Sequence, residues 1–349
     1  MIRSLHIGVS TIGQEVIKAC ISRNRSIPAG AVDINPAMVG KPLSEVAPGV
    51  AADAVIYGSL QEALQAGPWD VAVLCTASAL SSIRRDLETL ISAGIDVVST
   101  SEELAYPELQ NPVAYGELNA AAEAAGVTVV GTGVNPGFVL DLLPVIMTRP
   151  CVEVRSVRCA RIVNTMRRRR QLQLKLGAGL EVEEFERRKS AGAIGHVGLR
   201  ESAALIARGL GWEFDLKAVE HTLQPVVAEQ TVSSDYVTVG AGQVLGAEET
   251  ISFSPEDGRL LSLHLRMRLG EPEEYDEVVV EGTPAIHTRI IGGIHGRLHR
   301  EYPRADDQGA ARNADSAGPA DRVAQSARIN KQPEKRAAPL RHRRGGPLL

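Results

Sequence analysis

Two acids in tandem, Glu102 and Glu103, follow the β-branched run Asp96-Val97-Val98-Ser99-Thr100, which reads as a strand. A carboxylate at the carboxyl end of a strand could hold an ammonium group, accept its proton and balance a developing positive charge. Two acids in a helix's first turn are also common, because the helix dipole favours them there, and the residue types alone favour that plainer account. Adjacent residues point in different directions, so Glu102 is preferred for the chemistry and Glu103 for capping or pairing at the following helix start. A second stretch is Gly131-Thr132-Gly133-Val134-Asn135-Pro136-Gly137-Phe138. It lies between residues 126–130, read as a buried parallel strand, and an apolar helix with Asp141 near its start. Three glycines and a proline demand tight turning and close approach. In an open α/β sheet a ligand at the strands' carboxyl ends is what such backbone approaches; an ordinary strand–helix turn is the bland alternative.

The first strand runs into Gly8-Val9-Ser10-Thr11-Ile12-Gly13 and then a helix. The glycines fit the first and third positions of G-x-G-x-x-G. Ser10 stands where the second glycine would let backbone approach a pyrophosphate, although its hydroxyl can still donate a hydrogen bond. Gly8, Ser10, Thr11, Ile12 and Gly13 are therefore candidate dinucleotide contacts. Asp33 closes the second strand at the spacing expected of a carboxylate on the adenosine ribose. An acid there favours NAD over NADP, since it repels a 2′-phosphate. The strand over residues 70–78 ends in Cys75-Thr76-Ala77, whose small side chains leave room for a nucleotide; Ser78 or Ser81 could equally cap the next helix.

Strands and helices alternate through residues 1–145, the pattern of a doubly wound parallel α/β (Rossmann) sheet. From Glu153 the pattern switches to period two, with helices over 181–190 and 199–210. Alternating runs follow near 219–227, 236–239, 247–253, 260–269 and 275–281. This second region, residues 146–296, reads as an α+β substrate and dimerisation domain with one wet sheet face. From Arg297 onward the chain is rich in Arg, Ala, Pro, Asp and Gln without periodicity, which predicts a disordered basic tail over 297–349. The 349 residues, 44% hydrophobic, suffice for two domains, and a net charge of −4 offers no nucleic-acid or anionic-membrane surface. Four cysteines without CxxC spacing predict reduced thiols in a cytoplasmic protein, and no metal-ligand spacing is present. No signal peptide or membrane span is expected.

The strings 99–107, 131–138 with Asp141 and Pro144, Arg161-Ile162-Val163-Asn164, Gly177-Ala178-Gly179-Leu180, Gly195-His196-Val197-Gly198-Leu199, Glu274-Tyr275-Asp276-Glu277 and Gly292-Gly293-Ile294-His295-Gly296 carry a resemblance. With them the chain resembles the 2,4-diaminopentanoate dehydrogenases and related amine dehydrogenases, whose nucleotide domain is similar to that of dihydrodipicolinate reductase. The resemblance implies oxidative deamination of an amine or diamino acid with NAD or NADP to a ketone and ammonia, and the reverse, in a homodimer. It makes Glu102, with Glu103 beside it, the catalytic candidate. Asn135 and Pro136 become contacts at the nicotinamide end, and Phe138, Asn164, Arg168 and His196 candidate substrate contacts. Taken alone, His196 between glycines reads equally as a turn residue, His295 as structural, and Arg167–Arg170 mostly as a solvated charge run.

Ser10 departs from the family, and so does the tail, where the family continues with an apolar helix. A reading-frame shift near Gly296 is the expectation for the tail. Two other functions compete: a dihydrodipicolinate-type reductase, whose paired-histidine and lysine signature is missing here, and a nucleotide-binding protein without catalysis.

Overall fold

A computed structural model describes residues 1–51, 53–255 and 257–294. His295, Gly296 and the tail over 297–349 lie outside them. The first region runs β1 (Ile2–Ile7), α1 (Thr11–Arg23), β2 (Ser26–Val32), β3 (Ile56–Tyr57), α2 (Leu60–Gln65), β4 (Val71–Leu74), α3 (Leu80–Ser92), β5 (Asp96–Ser99), α4 (Pro112–Ala125) and β6 (Val129–Gly131). Its strands are all parallel, in the order β3-β2-β1-β4-β5-β6. Chain order reverses between β1 and β4, so the loops leaving these two strands splay apart and open a crevice at their carboxyl ends. Neighbouring residues of β2 show that both faces are covered: Ala31 joins the core with Ile17 and Ile56, Val32 the one with Leu74 and Ile83. In α3 the apolar positions Leu80, Ile83, Leu87, Leu90 and Ile91 recur at three- and four-residue spacing and are all buried.

The segment over 126–130 is a correction. It is parallel, but β6 is a three-residue strand that, among the described residues, pairs on one side only, and Val130 is 43% exposed. An apolar, β-branched run reads as buried because composition does not distinguish the middle of a sheet from its rim.

Beyond α5 (Leu142–Thr148) come β7 (Glu153–Asn164), α6 (Arg170–Lys175), α7 (Val182–Ser190), α8 (Leu199–Gly209) and β8 (Glu220–Val227). The short hairpin β9 (Val232–Ser233) and β10 (Thr238–Val239) precedes β11 (Val244–Phe253), β12 (Leu260–Arg268), β13 (Tyr275–Thr283) and β14 (Ile286–Ile291). The second sheet has the order β14-β13-β7-β12-β11-β8; β7 and β12 are parallel and the other pairs antiparallel. Strict alternation along β12, with Leu261, Leu263, Leu265 and Met267 buried, supplies the core on which α8 packs. Among the described residues no helix is long and apolar enough to cross a membrane.

His6 sits inside β1, fully buried, with Nε2 on the Ser4 hydroxyl at 3.0 Å and Nδ1 without a partner. Burial lowers its pKa from the ordinary 6.5 to about 4. Protonation therefore favours the unfolded chain, and the stability His6 contributes is complete above pH 6.5 and lost as pH falls towards 4. Between pH 7 and pH 5 this costs about 2 kcal/mol. Urea unfolding at the two pH values is expected to show that drop in the wild type and a smaller one, by about the same amount, in His6→Leu.

Candidate active site

The crevice between β1 and β4 is lined by close-packed backbone. A methyl group on Gly8 would stand 2.8 Å from the Cys75 carbonyl oxygen, and one on Gly13 only 1.9 Å from the Gly8 oxygen. Helix α1 thus rests directly on the turn that feeds it, which only glycine permits. Ser10, its N-cap, makes no side-chain cap bond, and Ser10, Thr11 and Ile12 are exposed at the opening turn. The amides of that turn precede the first internal bond, Gln14 N–H to Ser10 O at 3.0 Å, and form an anion-binding end. Asp33 bends over the same loop, accepting from Val9 N–H and Asn35 N–H at 2.9 Å each. Thr76 is exposed and Ala77 half-buried, whereas the Cys75 thiol is buried and its pKa pushed up by that burial. Cys75 therefore presents no thiolate at this strand end.

The tandem acids diverge. Glu103 Oε2 accepts from Leu80 N–H at 2.7 Å and from the Asn111 side-chain amide at 3.3 Å. Helix α3 has Ala79 at its N-cap, with no side-chain acceptor, so neither Ser78 nor Ser81 caps it. Glu103, arriving from the β5 loop, supplies the missing acceptor. This carboxylate, a catalytic candidate beside Glu102 on sequence, is occupied in binding α3 to the N-cap residue of α4.

Glu102 turns the other way, towards the second region. A methyl group on Gly198 would lie 3.4 Å from Glu102 Cβ and 2.5 Å from Pro136 Cδ. The loop 195–198 therefore touches both the β5 and β6 loops. Within it the His196 N–H donates to Glu249 Oε2 at 2.9 Å, while His196 Nδ1 is buried without a partner. Across the contact, the Asn135 side chain has both its oxygen and its nitrogen buried and unpartnered. Burial lowers the His196 pKa, against the opposing pull of the Glu249 and Glu102 carboxylates, and keeps the ring neutral. The loop that carries His196 thus abuts, through Gly198, the backbone turns that carry Glu102 and Asn135–Pro136. Buried polar atoms without partners are costly, and a bound polar ligand is one means of satisfying them.

Other expected site residues serve the surrounding framework. Asn164 spends its side chain on Glu271 O and Met166 N–H, at 2.8 and 3.0 Å, shaping the turn after β7. Arg168 is half-buried in a turn wrapped round the Gln173 amide, which donates to the carbonyls of Thr165 and Arg168 at 2.9 and 3.0 Å. Phe138 packs half-buried against the second core. Behind the loop 131–138, the fully buried Asp141 carboxylate accepts from Gly137 N–H, Leu142 N–H and the Ser202 hydroxyl at 2.7, 2.5 and 2.8 Å. Arg161 pairs with Asp276 at 2.7 Å, and the two grip Ile294: Arg161 donates to its carbonyl at 2.8 Å, and its N–H donates to Asp276 Oδ2 at 2.5 Å. Glu249 and its partner His221 escaped the sequence reading. The available signal was an acid standing in phase with Ala247, Ile251 and Phe253 on β11.

Comparison with known proteins accords with this geometry. The family model of the 2,4-diaminopentanoate dehydrogenase C-terminal domain matches residues 138–299. A curated 2,4-diaminopentanoate dehydrogenase from Acetoanaerobium sticklandii is 32% identical over 250 residues, 69% of this chain and 70% of that protein. The chain belongs to the 2,4-diaminopentanoate dehydrogenase family. It is accordingly an oxidoreductase of amines. An amine dehydrogenase from Mycobacterium smegmatis has the same fold, with a TM-score of 0.72 at 22% identity over 83% of this chain and 86% of that one. The WlbA dehydrogenase of Bordetella pertussis, solved with NADH and UDP-GlcNAcA, has a TM-score of 0.50 at 16% identity, covering 88% and 79%.

In this dehydrogenase Gly198 has φ +109, a region L side chains rarely adopt, besides its contact with the rigid Pro136 ring. Gly198→Ala is expected to cost about 2–4 kcal/mol from strain and overlap together, read as a lowered unfolding midpoint.

Proposed function

We propose that this dehydrogenase oxidatively deaminates an amine or diamino acid to a ketone and ammonia, and runs the reverse reductive amination, with Glu102 as its proton-transfer group. The observation supporting this reading is that Gly198, two residues after His196, abuts Glu102 Cβ and the Pro136 ring, while the side-chain oxygen and nitrogen of Asn135 beside it are buried and unpartnered. The domains we assign are residues 1–145 for the dinucleotide and 146–296 for the substrate. A nicotinamide cofactor supplies hydride exchange with the carbon that bears nitrogen. The residues present suit such a group. The first turn of α1, at Gly8, Ser10, Thr11, Ile12 and Gly13, takes the pyrophosphate, with Cys75, Thr76 and Ala77 leaving space beside it. Asp33 takes the adenosine ribose hydroxyls, and its charge rejects a 2′-phosphate, which favours NAD. Asn135 and Pro136 bound the nicotinamide end.

Glu102, as a carboxylate, attracts the ammonium form of the substrate and removes its proton, freeing the nitrogen lone pair to support the positive charge as hydride departs. In the reverse direction it returns that proton. Neutral His196 offers Nδ1 to the substrate or to the water that completes deamination, without adding a positive charge that would repel the ammonium. Phe138 supplies an apolar wall, while Asn164 and Arg168 shape the turn bordering the site. The enzyme is assigned as a cytoplasmic homodimer.

NAD binding is measured by fluorescence and turnover by amine-dependent NADH formation. Glu102→Ala is expected to retain cofactor binding and lose about 10²-fold or more in turnover. Turnover near the wild-type rate would remove Glu102 from the reaction. Cofactor binding by the wild type with no turnover on amines or diamino acids would favour the non-catalytic reading.

A further inference from the structure

We propose that Glu249 is a positioning residue that sets where the His196 imidazole stands, a role that rests on the site assignment above. Glu249 is on β11, 5% exposed, in phase with the core residues Ala247, Ile251 and Phe253. A carboxylate at such a place has lost its water and needs hydrogen bonds in return. It has two. Oε2 accepts from the His196 main-chain N–H at 2.9 Å, and Oε1 faces His221 Nε2 at 2.8 Å.

The second of these can be assigned a direction. His221 Nδ1 faces Arg200 Nη2 at 3.4 Å. A guanidinium only donates, so His221 Nδ1 accepts and His221 Nε2–H donates to Glu249. The carboxylate is therefore held on one side by His221, and holds the His196 peptide on the other. Because it binds the peptide and not the ring, it leaves His196 Nδ1 unpartnered and provides no route for a ring proton. Its role is placement.

The loop geometry shows what is being placed. Gly195 has φ +126, and a methyl group on it would lie 3.3 Å from Leu223 Cδ2 and 3.9 Å from Glu249 Oε2, so this end of the loop lies flat on β8 and β11. Gly198, at the other end, abuts Pro136 and Glu102. His196 is thereby suspended between an anchor in the second sheet and the loops of the first. Loosening the Glu249 anchor lets the imidazole drift relative to Glu102, and small displacements of reacting groups carry large rate penalties.

The test uses the full-length protein with ¹⁵N-labelled histidine, the His196 ring signals being assigned by their loss in His196→Gln. Glu249→Ala is expected to displace or broaden those signals, leave those of His6 unchanged and leave NADH affinity at its wild-type value. The same variant is expected to lower kcat on the amine by about tenfold or more. Glu249→Gln, which retains an oxygen for the His196 N–H, is expected to restore the signals and most of kcat. If Glu249→Ala does not fold, His221→Phe removes the carboxylate's other anchor and is expected to displace the same signals. Unaltered His196 signals in a folded variant, or a Gln variant as impaired as the Ala one, would overturn the proposal. Absence of amine turnover by the wild type would instead overturn the deamination reading, and the ring signals would still decide the placement of His196.

Discussion

The arrangement depends on one buried carboxylate. Asp141 has no access to water and collects three donors from three parts of the chain: the Gly137 amide in the β6 loop, the first amide of α5 and the Ser202 hydroxyl on α8. A buried charge is tolerated only with such compensation, and removing any donor exposes the cost of the rest. Because the donors belong to the loop after β6, to α5 and to α8 of the second region, satisfying Asp141 fixes the Asn135-Pro136-Gly137 turn against α8. Helix α8 begins immediately after Gly198 and carries Glu201, which in turn bonds the Gln110 amide in the loop beyond Glu102. Electrostatic satisfaction and the alignment of the candidate site are therefore the same requirement.

Much of the architecture is legible in the sequence because it is periodic. Residues 80–91 put apolar side chains on a single helical stripe, and residues 260–268 alternate without a break, so α3 and β12 declare themselves. Edges are harder to read. Residues 286–291 form β14, which no run suggested, because a rim strand buries only part of each side chain and shows little contrast. The same lack of contrast made β6 look central. The site is legible to a lesser degree. The glycine spacing at Gly8 and Gly13 follows from sterics that are local in sequence, but the partner of each acid is not. Nothing in Glu102-Glu103 announces that one closes the end of α3, 23 positions upstream, and the other faces a loop of the second region. Asn164 and Arg168, candidate substrate contacts by resemblance, are engaged in forming turns, and only tertiary contact reveals that.

His196 shows how such a site is arranged without metal-like ligation or a formal charge. Its ring is kept neutral by burial although two carboxylates are near, and its peptide, not its imidazole, makes the anchoring bond. Its ring nitrogen Nδ1 and, on the neighbouring β6 loop, the Asn135 amide are each buried without a partner. A polar group admitted there gains hydrogen bonds in a low-dielectric setting, where they are stronger than in water.

The Arg161–Asp276 pair bears on a different matter. By gripping both the carbonyl and the amide of Ile294, it anchors the main chain immediately after the last strand of the second sheet. The sheet thereby carries its own terminus: β14 is hydrogen-bonded along β13, and its trailing turn is locked by a salt link rooted in β7 and β13. The course of the main chain through Ile294 is thus set by a charge pair internal to the second sheet, so neutralising either member should loosen this turn before any strand.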